Sequence, residues 1–284
     1  MNSRYSGLVA LLLLPACGFD DDPAGTTGKA DLAFTTYGEE FVEDGIPADE
    51  IEDGWAAKFD KFLVVLGDVR VADDKGNEGA RLSALTLFDM TKPGPHAVGT
   101  AAGIGAKHWN RVGFRIPAAT ADTTLGSTAT QADLDLMKQA GYAVYVTGSA
   151  TRGSDTKTFA WGFTESTTYS ECTADIDGKE EEGVVLANGA KVTAELTIHG
   201  DHFFYDDLSA ETAVLRFDAI ASADTNQDGA VTLEELAAVK LFDIPAGSYQ
   251  TGAANIDDLR GFISALVSTL GHFRGEGHCT PTVE

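Results

Sequence analysis

The chain has 284 residues, and 44 acidic against 20 basic side chains give it a net charge of −24 at pH 7. Such a charge argues against nucleic acid or an anionic lipid surface as the partner. Because 43% of the residues are hydrophobic and 15 are Phe, the chain can still bury a sizeable core. The hydrophobic content therefore predicts a folded chain, and the acidity predicts that this chain attracts cations.

The first element is an N-terminal export signal. A single positive charge at Arg4 precedes an apolar run over 8–16, which is shorter than the roughly 20 residues of a membrane-spanning helix. The sequence LPAC at 14–17 then resembles the bacterial lipobox. The resemblance implies removal of residues 1–16 and acylation of Cys17, which would anchor the protein to the cell envelope, on the periplasmic or surface face of the outer membrane. The alternative is an ordinary secretory peptide that leaves Cys17 as a free thiol.

The residues that follow are predicted to form a flexible acidic tether and then a β-domain. Residues 17–30 are rich in Asp, Gly, Pro and Thr, as is typical of a tether. Farther along, alternating apolar residues or short apolar runs predict strands with a buried face, over 62–66, 112–116, 142–146, 159–163 and 192–198. Turn signals separate these strands, and one helical insert is expected over 131–140. We therefore predict an antiparallel β-sandwich over 31–208.

After His199 the spacing of apolar residues changes to that of helices. Segments 210–222, 233–242 and 256–270 each place their apolar residues on one helical face. We therefore predict a small helical module with a C-terminal tail over 209–284. The fold class is then α+β and mainly β, a β-sandwich followed by this module.

Between the first two of these helices, the twelve residues 224–235 match the EF-hand calcium loop. Ca²⁺ requires six to eight oxygen ligands, which such a loop supplies from positions 1, 3, 5, 7, 9 and 12. The ligands implied by the match are Asp224, Asn226, Asp228, the carbonyl of Ala230, Thr232 and Glu235. Gly229 permits the turn with positive φ that folds the loop around the ion.

No second loop carries the ligand pattern. The segment 243–255 is expected to act as a degenerate partner, in which Tyr249 or Thr251 pairs with Val231, the apolar eighth position of the loop. Because three carboxylates bind the ion without a cooperative neighbour, we expect affinity in the micromolar-to-millimolar range and a structural role for Ca²⁺. The alternative is an Asp-rich and Asn-rich turn that caps the following helix.

A second candidate site comes directly after the last predicted strand, at His199, Gly200, Asp201 and His202. Two imidazoles and a carboxylate suit copper or zinc, and a polar strand end is the alternative. Nearby Asp206 and Asp207, and the distant His96 and His108 if folding brings them near, are the other candidate ligands.

The order of the predicted strands resembles the MbnP-like family of periplasmic copper-binding β-sandwich proteins. The resemblance covers roughly 59–208 and is one of layout, since the Trp-containing segment of that family is replaced here by 134–140. It implies a metal-binding periplasmic lipoprotein that uses His199 and His202, as the alternative to the calcium protein.

Cysteine usage predicts a disulfide. Once Cys17 is acylated, Cys172 and Cys279 are the remaining pair in an oxidising compartment. Their bridge would close a loop of about 107 residues and contribute roughly 4–5 kcal/mol of stability. Two free thiols are the alternative.

The sequence carries no familiar enzyme motif. It lacks G-x-S-x-G and H-E-x-x-H, although a hydrolase site assembled from distant residues stays open. The acidic run 175–182 is expected to be a solvated hairpin. We therefore expect a binding protein, whose partners are a calcium ion and, through its lipid, a membrane.

Overall fold

The computed structural model describes residues 28–176, 178–209, 212–245 and 248–284, and the fold is rich in β-structure. The predicted signal peptide, Cys17 and nearly all of the tether over 17–30 lie outside these residues. None of the described helices is both long and apolar enough to cross a membrane.

The first half of the chain forms most of the strands. In chain order its elements are β1 Lys29–Gly38, α1 Glu40–Glu43, β2 Ala56–Ala72, β3 Glu78–Asp89, β4 His96–Gly105, β5 His108–Trp109, β6 Arg111–Ile116, β7 Thr124–Leu125, α2 Gln131–Ala140 and β8 Val144–Arg152.

The second half adds further strands and short helices. They are β9 Asp155–Phe163, β10 Thr167–Ser170, β11 Thr173–Ile176, β12 Lys179–Glu182, β13 Val184–Val185, β14 Lys191–Ile198, α3 Asp218–Ser222, β15 Ala230–Val231, α4 Leu233–Ala238, α5 Leu259–Leu266, β16 Gly271–Phe273 and β17 Thr280–Val283. Three 3₁₀ helices lie among them, at Asp201–Phe204, Leu241–Asp243 and Val267–Thr269.

Two main sheets enclose the core in a sandwich-like arrangement. The smaller has the strand order β16-β14-β1-β4, and the larger runs β15-β9-β8-β2-β6-β10-β17 with β3 and β7 attached through β2. Most neighbours are antiparallel, as predicted, but three pairs are parallel: β1 with β14, β15 with β9 and β3 with β7. The parallel pair β1–β14 brings the carboxyl ends of two strands together.

The two sheets share one continuous hydrophobic core. It contains residues from Ala30 to Phe273, and its centre is an aromatic group in which Phe59 contacts Phe62, Phe203 and Phe204 with ring centroids 4.9–6.4 Å apart. Aromatic side chains bury more apolar area than any others, so this group carries a large share of the folding free energy.

The local patterns predicted several elements closely. Helix α2 occupies the predicted span 131–140, because Thr130 and Asp133 form a reciprocal capping box at its start and Gly141 ends it with a φ of 67°. Strands β6, β9 and β14 contain the predicted segments at 112–116, 159–163 and 192–198. Strands β1, β3 and β4 were not predicted.

The described residues of 209–284 do not form the separate helical module that was expected. Its described helices are shorter than predicted, at 218–222, 233–238 and 259–266, and the same range supplies β15, β16 and β17 to the two main sheets. The reason is that their apolar faces pack into the common core, where Phe217, Leu236 and Phe262 are fully buried, so no separate core forms.

The predicted disulfide is confirmed. Cys172 and Cys279 are bonded across 107 residues of sequence, and Cys172 is fully buried. The bond joins the tail to the loop that follows β10, and the backbone hydrogen bond from Thr173 to the carbonyl of His278, 2.8 Å long, fixes the same junction. The predicted acidic hairpin is formed by β11 and β12, with Asp177 outside the described residues.

Candidate metal centre

Three histidines meet in a buried pocket at one end of the smaller sheet. One ring nitrogen from each of His199, His202 and His272 lies within 4.8 Å of the others, and the residues are only 3%, 3% and 7% exposed. Three imidazoles that converge in this way are a ligand set for zinc or copper.

The backbone around β14 brings the three rings together. His199 is the first residue after β14, and the chain turns at Gly200 into the 3₁₀ helix that carries His202. His272 is the middle residue of β16, opposite Thr197 in the antiparallel pair with β14. Gly200 fits only because it has no side chain, since a Cβ there would lie 2.6 Å from Val42.

Hydrogen bonds fix the tautomer of His202. Its Nδ1 lies 2.7 Å from the hydroxyl of Thr269, and that hydroxyl donates to the carbonyl of Leu266 at 2.8 Å. Because a hydroxyl has a single hydrogen, Nδ1 is the donor in the first contact, and Nε2 keeps its lone pair for a metal. A partner that fixes the second nitrogen in this way is typical of metal-binding histidines.

The pocket also contains a buried nitrogen without a partner. Nδ1 of His272 is inaccessible to solvent and makes no hydrogen bond, which costs on the order of 1–3 kcal/mol unless a ligand satisfies it. The rings of His199 and His272 stack with centroids 3.9 Å apart and planes 24° from parallel. Since ligand lone pairs lie in the ring plane, one ring must rotate for both to point at one ion.

Burial keeps the three imidazoles neutral. It lowers the pKa of His202 to about 4 and that of His272 to about 2, and it also lowers the pKa of His199. At pH 7 all three therefore carry the lone pairs that bind metal ions without first losing a proton.

Two carboxyl groups lie beside the histidines. Glu39 follows β1, and because β1 and β14 are parallel with Gly38 opposite Ile198, its side chain comes next to His199, with Oε2 3.4 Å from Nδ1. Asp201 is 8% exposed. Burial, together with the neighbouring carboxyl group of Asp201, raises the pKa of Glu39 to about 9.

The structure brings some of the predicted candidate ligands into the pocket and leaves others outside it. His199, Asp201 and His202 belong to the pocket. His96 and His108 instead contact the backbone carbonyls of Lys92 and Glu182.

The two downstream aspartates also lie outside the pocket. Asp206 pairs with Arg216 at 2.6 Å, and Asp207 accepts hydrogen bonds from Ser209 and Thr212. Within 28–176, 178–209, 212–245 and 248–284, the groups of three candidate ligands that converge all include His199.

Two members of the pocket, His272 and Glu39, could not be found from the sequence. His272 is 70 residues beyond His202 in the chain and arrives only through the pairing of β16 with β14. Glu39 depends on the parallel pairing of β1, which was not predicted. The one local signal was the placement of His272 directly before Phe273, in a short segment after a helix.

The predicted calcium loop is folded over 224–235. Asp224 is 6% exposed and accepts hydrogen bonds from the backbone of Asp228 and Gly229, and Gly229 has a φ of 84°. Thr232 and Glu235 form a capping box at the start of α4. Oε1 of Glu235 is buried and makes no hydrogen bond. A bidentate ligand at position 12 would use this oxygen.

The loop docks on the larger sheet. Val231 pairs in parallel with Phe159 of β9, so the expected pairing with Tyr249 or Thr251 is wrong. The indole of Trp161 donates to the carbonyl of Val231 at 2.8 Å, and Lys157 lies 2.5 Å from Asp224. Two side chains of β9 and its backbone thus hold the loop against the sheet.

Comparison with known proteins adds one weak neighbour. No protein-family model matches the chain, and no curated protein is similar to it in sequence. Among solved structures, MbnP from Methylosinus trichosporium is 13% identical, with a TM-score of 0.29, over 62% of this chain and 77% of its own. A score of this size does not establish a common fold, so the pocket is interpreted from its own geometry.

Proposed function

We propose that the protein binds a transition-metal ion of the copper or zinc class through His199, His202 and His272. The observation that carries the proposal is the convergence of three buried imidazole nitrogens within 4.8 Å of one another. Metal–nitrogen bonds of about 2.0–2.1 Å bring tetrahedral ligands closer than this, so binding would draw the rings inward and turn His199 or His272 out of its stack.

The chemistry of the pocket supports such an ion over a hard one. Neutral imidazoles favour zinc, copper, nickel and iron, whereas calcium and magnesium require oxygen ligands. The unpaired Nδ1 of His272 and the hydrogen bond that leaves Nε2 of His202 free both fit a ligand role.

Zinc and copper titrations of His272→Gln test this function, with His108→Gln as the matched control. His108 is exposed and lies outside the pocket. We expect tight binding by the wild type and the control, and a loss of at least about 100-fold in the affinity of the histidine site in His272→Gln. Equal binding by all three proteins would contradict the proposal.

We further propose that the pocket serves binding and not catalysis. A catalytic zinc site keeps one position open for water or substrate, whereas these three ligands are at most 7% exposed. Screening the metal-loaded protein against ester, phosphate and peptide substrates tests this point, and turnover that disappears in His272→Gln would refute it.

A second candidate function is calcium binding by the loop 224–235. It is supported by the buried, unpaired Oε1 of Glu235 and by the positive φ of Gly229. We propose that the segment 209–284 acts as a calcium-binding element docked on the β-sandwich of 31–208, and that the ion is structural, with ligands at Asp224, Asn226, Asp228, Ala230, Thr232 and Glu235.

Thermal unfolding with and without Ca²⁺ tests the second candidate. Because a ligand stabilises the state it binds, Ca²⁺ should raise the Tm of the wild type and of Glu234→Gln, an exposed neighbour, but not that of Glu235→Gln. If all three proteins respond alike, the loop is not the site.

For location, we propose an exported protein anchored by lipid on Cys17. The disulfide between Cys172 and Cys279 supports an oxidising compartment. Mass spectrometry of the mature N-terminus should find acyl chains on Cys17, and Cys17→Ser should move the protein from the membrane to the soluble fraction.

A further inference from the structure

We propose that a second divalent first-row metal ion binds at Glu39, His199 and Asp201, so that the imidazole of His199 bridges two metal ions. The inference rests in part on the proposed function, because His199 is common to both sites. One potential ligand atom from each of the three residues lies within 4.8 Å of the other two.

The second site would use the Nδ1 edge of the His199 ring. Nδ1 of His199 faces Oε2 of Glu39 at 3.4 Å. An imidazole has two nitrogens on separate edges, so an ion held at Nδ1 leaves Nε2 for the ion shared with His202 and His272. A neutral imidazole carries one N–H, and that proton passes to solvent when both nitrogens bind metal.

Two buried oxygens in this site lack partners. Oε1 of Glu39 and Oδ1 of Asp201 are inaccessible to solvent and make no hydrogen bond. Within the described parts of the chain, neither carboxyl group forms an ion pair with Lys or Arg, and Glu39 lies beside the neutral imidazole of His199. Buried acceptors of this kind are costly unless a cation or donor satisfies them, and one ion between them would satisfy both.

The ligand types indicate the class of ion. Carboxylates favour manganese, magnesium and calcium, and imidazole favours zinc, copper, iron and nickel. Two carboxylates with one imidazole therefore suit a divalent first-row ion such as Mn²⁺ or Zn²⁺, and they accept harder ions than three imidazoles do. The two sites would differ in preference while sharing a ligand.

Backbone contacts hold the two carboxylate residues beside the three-histidine site. The amide of Glu39 donates to the carbonyl of Ile198 at 3.1 Å, directly before His199. Asp201 begins the 3₁₀ helix that also carries His202. Substituting the two carboxylates should therefore remove the second site without moving the first.

Zn²⁺ titration calorimetry of the purified protein, with Ca²⁺ saturating to occupy the loop, tests the inference. We expect two equivalents in the wild type, one in Glu39→Gln and in Asp201→Asn, and none in His199→Gln. The matched control is Glu276→Gln, because Oε2 of Glu276 lies 3.9 Å from the same nitrogen but its side chain is 80% exposed. It should keep both equivalents.

A spectroscopic readout separates a shared ligand from two independent sites. With Cu²⁺ as the probe, the first equivalent should give a full electron paramagnetic resonance signal. The second should reduce the integrated signal, because two Cu²⁺ ions couple through a bridging imidazolate. Additive signals would overturn the bridge.

The outcomes distinguish this inference from the proposed function. One equivalent in the wild type, lost in His272→Gln and kept in both carboxylate variants, would overturn the second site and leave the three-histidine site standing. One equivalent weakened by every variant would mean a single larger site and would also overturn it. No binding in any protein would overturn both proposals. Circular dichroism of each variant confirms that it is folded.

Discussion

Nδ1 of His202 and the hydroxyl of Thr269 lie 2.7 Å apart, which makes Thr269 the residue that orients this candidate metal ligand. Thr269→Val keeps the shape of the side chain and removes the acceptor. Because partners of this kind typically contribute 10–100-fold to metal affinity, we expect zinc affinity to fall by about that factor in a competition titration with a chromophoric chelator.

Ser268→Ala is the control for this prediction. The hydroxyl of Ser268 also bonds a backbone carbonyl, that of Ala265 at 2.8 Å. Ser268→Ala should therefore change the zinc affinity less than twofold. An unchanged affinity in Thr269→Val would show that Thr269 does not orient His202.

The pocket should give the metal-free protein a stability maximum near pH 6.5. His202 and His272 have folded pKa values of about 4 and about 2, below the ordinary value of 6.5 for histidine, so the unfolded state binds more protons below pH 6.5. The free energy of unfolding then falls on acidification, by up to about 1.4 kcal/mol per pH unit for each histidine.

Glu39 acts in the opposite direction. Its folded pKa of about 9 lies above the ordinary value of 4.5 for glutamate, so the folded state holds the extra proton and stability falls as the pH rises from 4.5 toward 9. Below pH 6.5 the two histidines change the free energy of unfolding more than the one carboxyl group does. Above pH 6.5 only the effect of the carboxyl group remains. Urea unfolding from pH 5 to 9 should show a smaller loss of stability on acidification in His272→Gln and a smaller loss at alkaline pH in Glu39→Gln. An unchanged pH dependence in both variants would refute the assignment.

Removal of the Lys157 ammonium should strengthen calcium binding. Lys157 lies 2.5 Å from Oδ2 of Asp224, the first ligand position, and its side chain is 22% exposed. A calcium ion must compete with this charge, so Lys157→Met should raise calcium affinity by about tenfold in calorimetry, a value reduced for solvent screening. Lys58→Met, which alters an exposed lysine on β2, should leave the affinity unchanged. Weaker binding by Lys157→Met would mean that the lysine shapes the loop instead.

Loss of the disulfide should weaken both the fold and the metal pocket. We expect Cys172→Ser combined with Cys279→Ser to lose about 2–5 kcal/mol of stability in urea unfolding. Zinc affinity should fall as well, because Cys279 follows His278, whose ring centroid lies 5.5 Å from that of His272. Reductant should destabilise the wild type and leave the double variant unaffected. Equal midpoints would refute the prediction.

Local patterns in the sequence predicted features that depend on neighbouring residues. Thr130, Asp133 and Gly141 define the ends of α2 through caps that involve only adjacent turns. The disulfide followed from counting cysteines.

The metal pocket depended on pairing that no local pattern encodes. Glu39 and His272 reach His199 through β1 and β16, which are far from β14 in the chain. The loop residue Val231 likewise pairs with a strand 72 residues earlier, at Phe159. A period-two pattern shows which face of a strand is buried, but it does not show which strand lies beside it.

Strand β1 also sets the orientation of the pocket. It runs through ten residues from Lys29 to Gly38, directly before Glu39, and at about 3.3 Å per residue its ends are roughly 30 Å apart. A lipid anchor upstream of Lys29, as proposed, would hold the opposite end of this strand close to the bilayer. The end of the fold that holds the buried histidines would then face away from the bilayer, on the side that diffusing metal donors and acceptors approach.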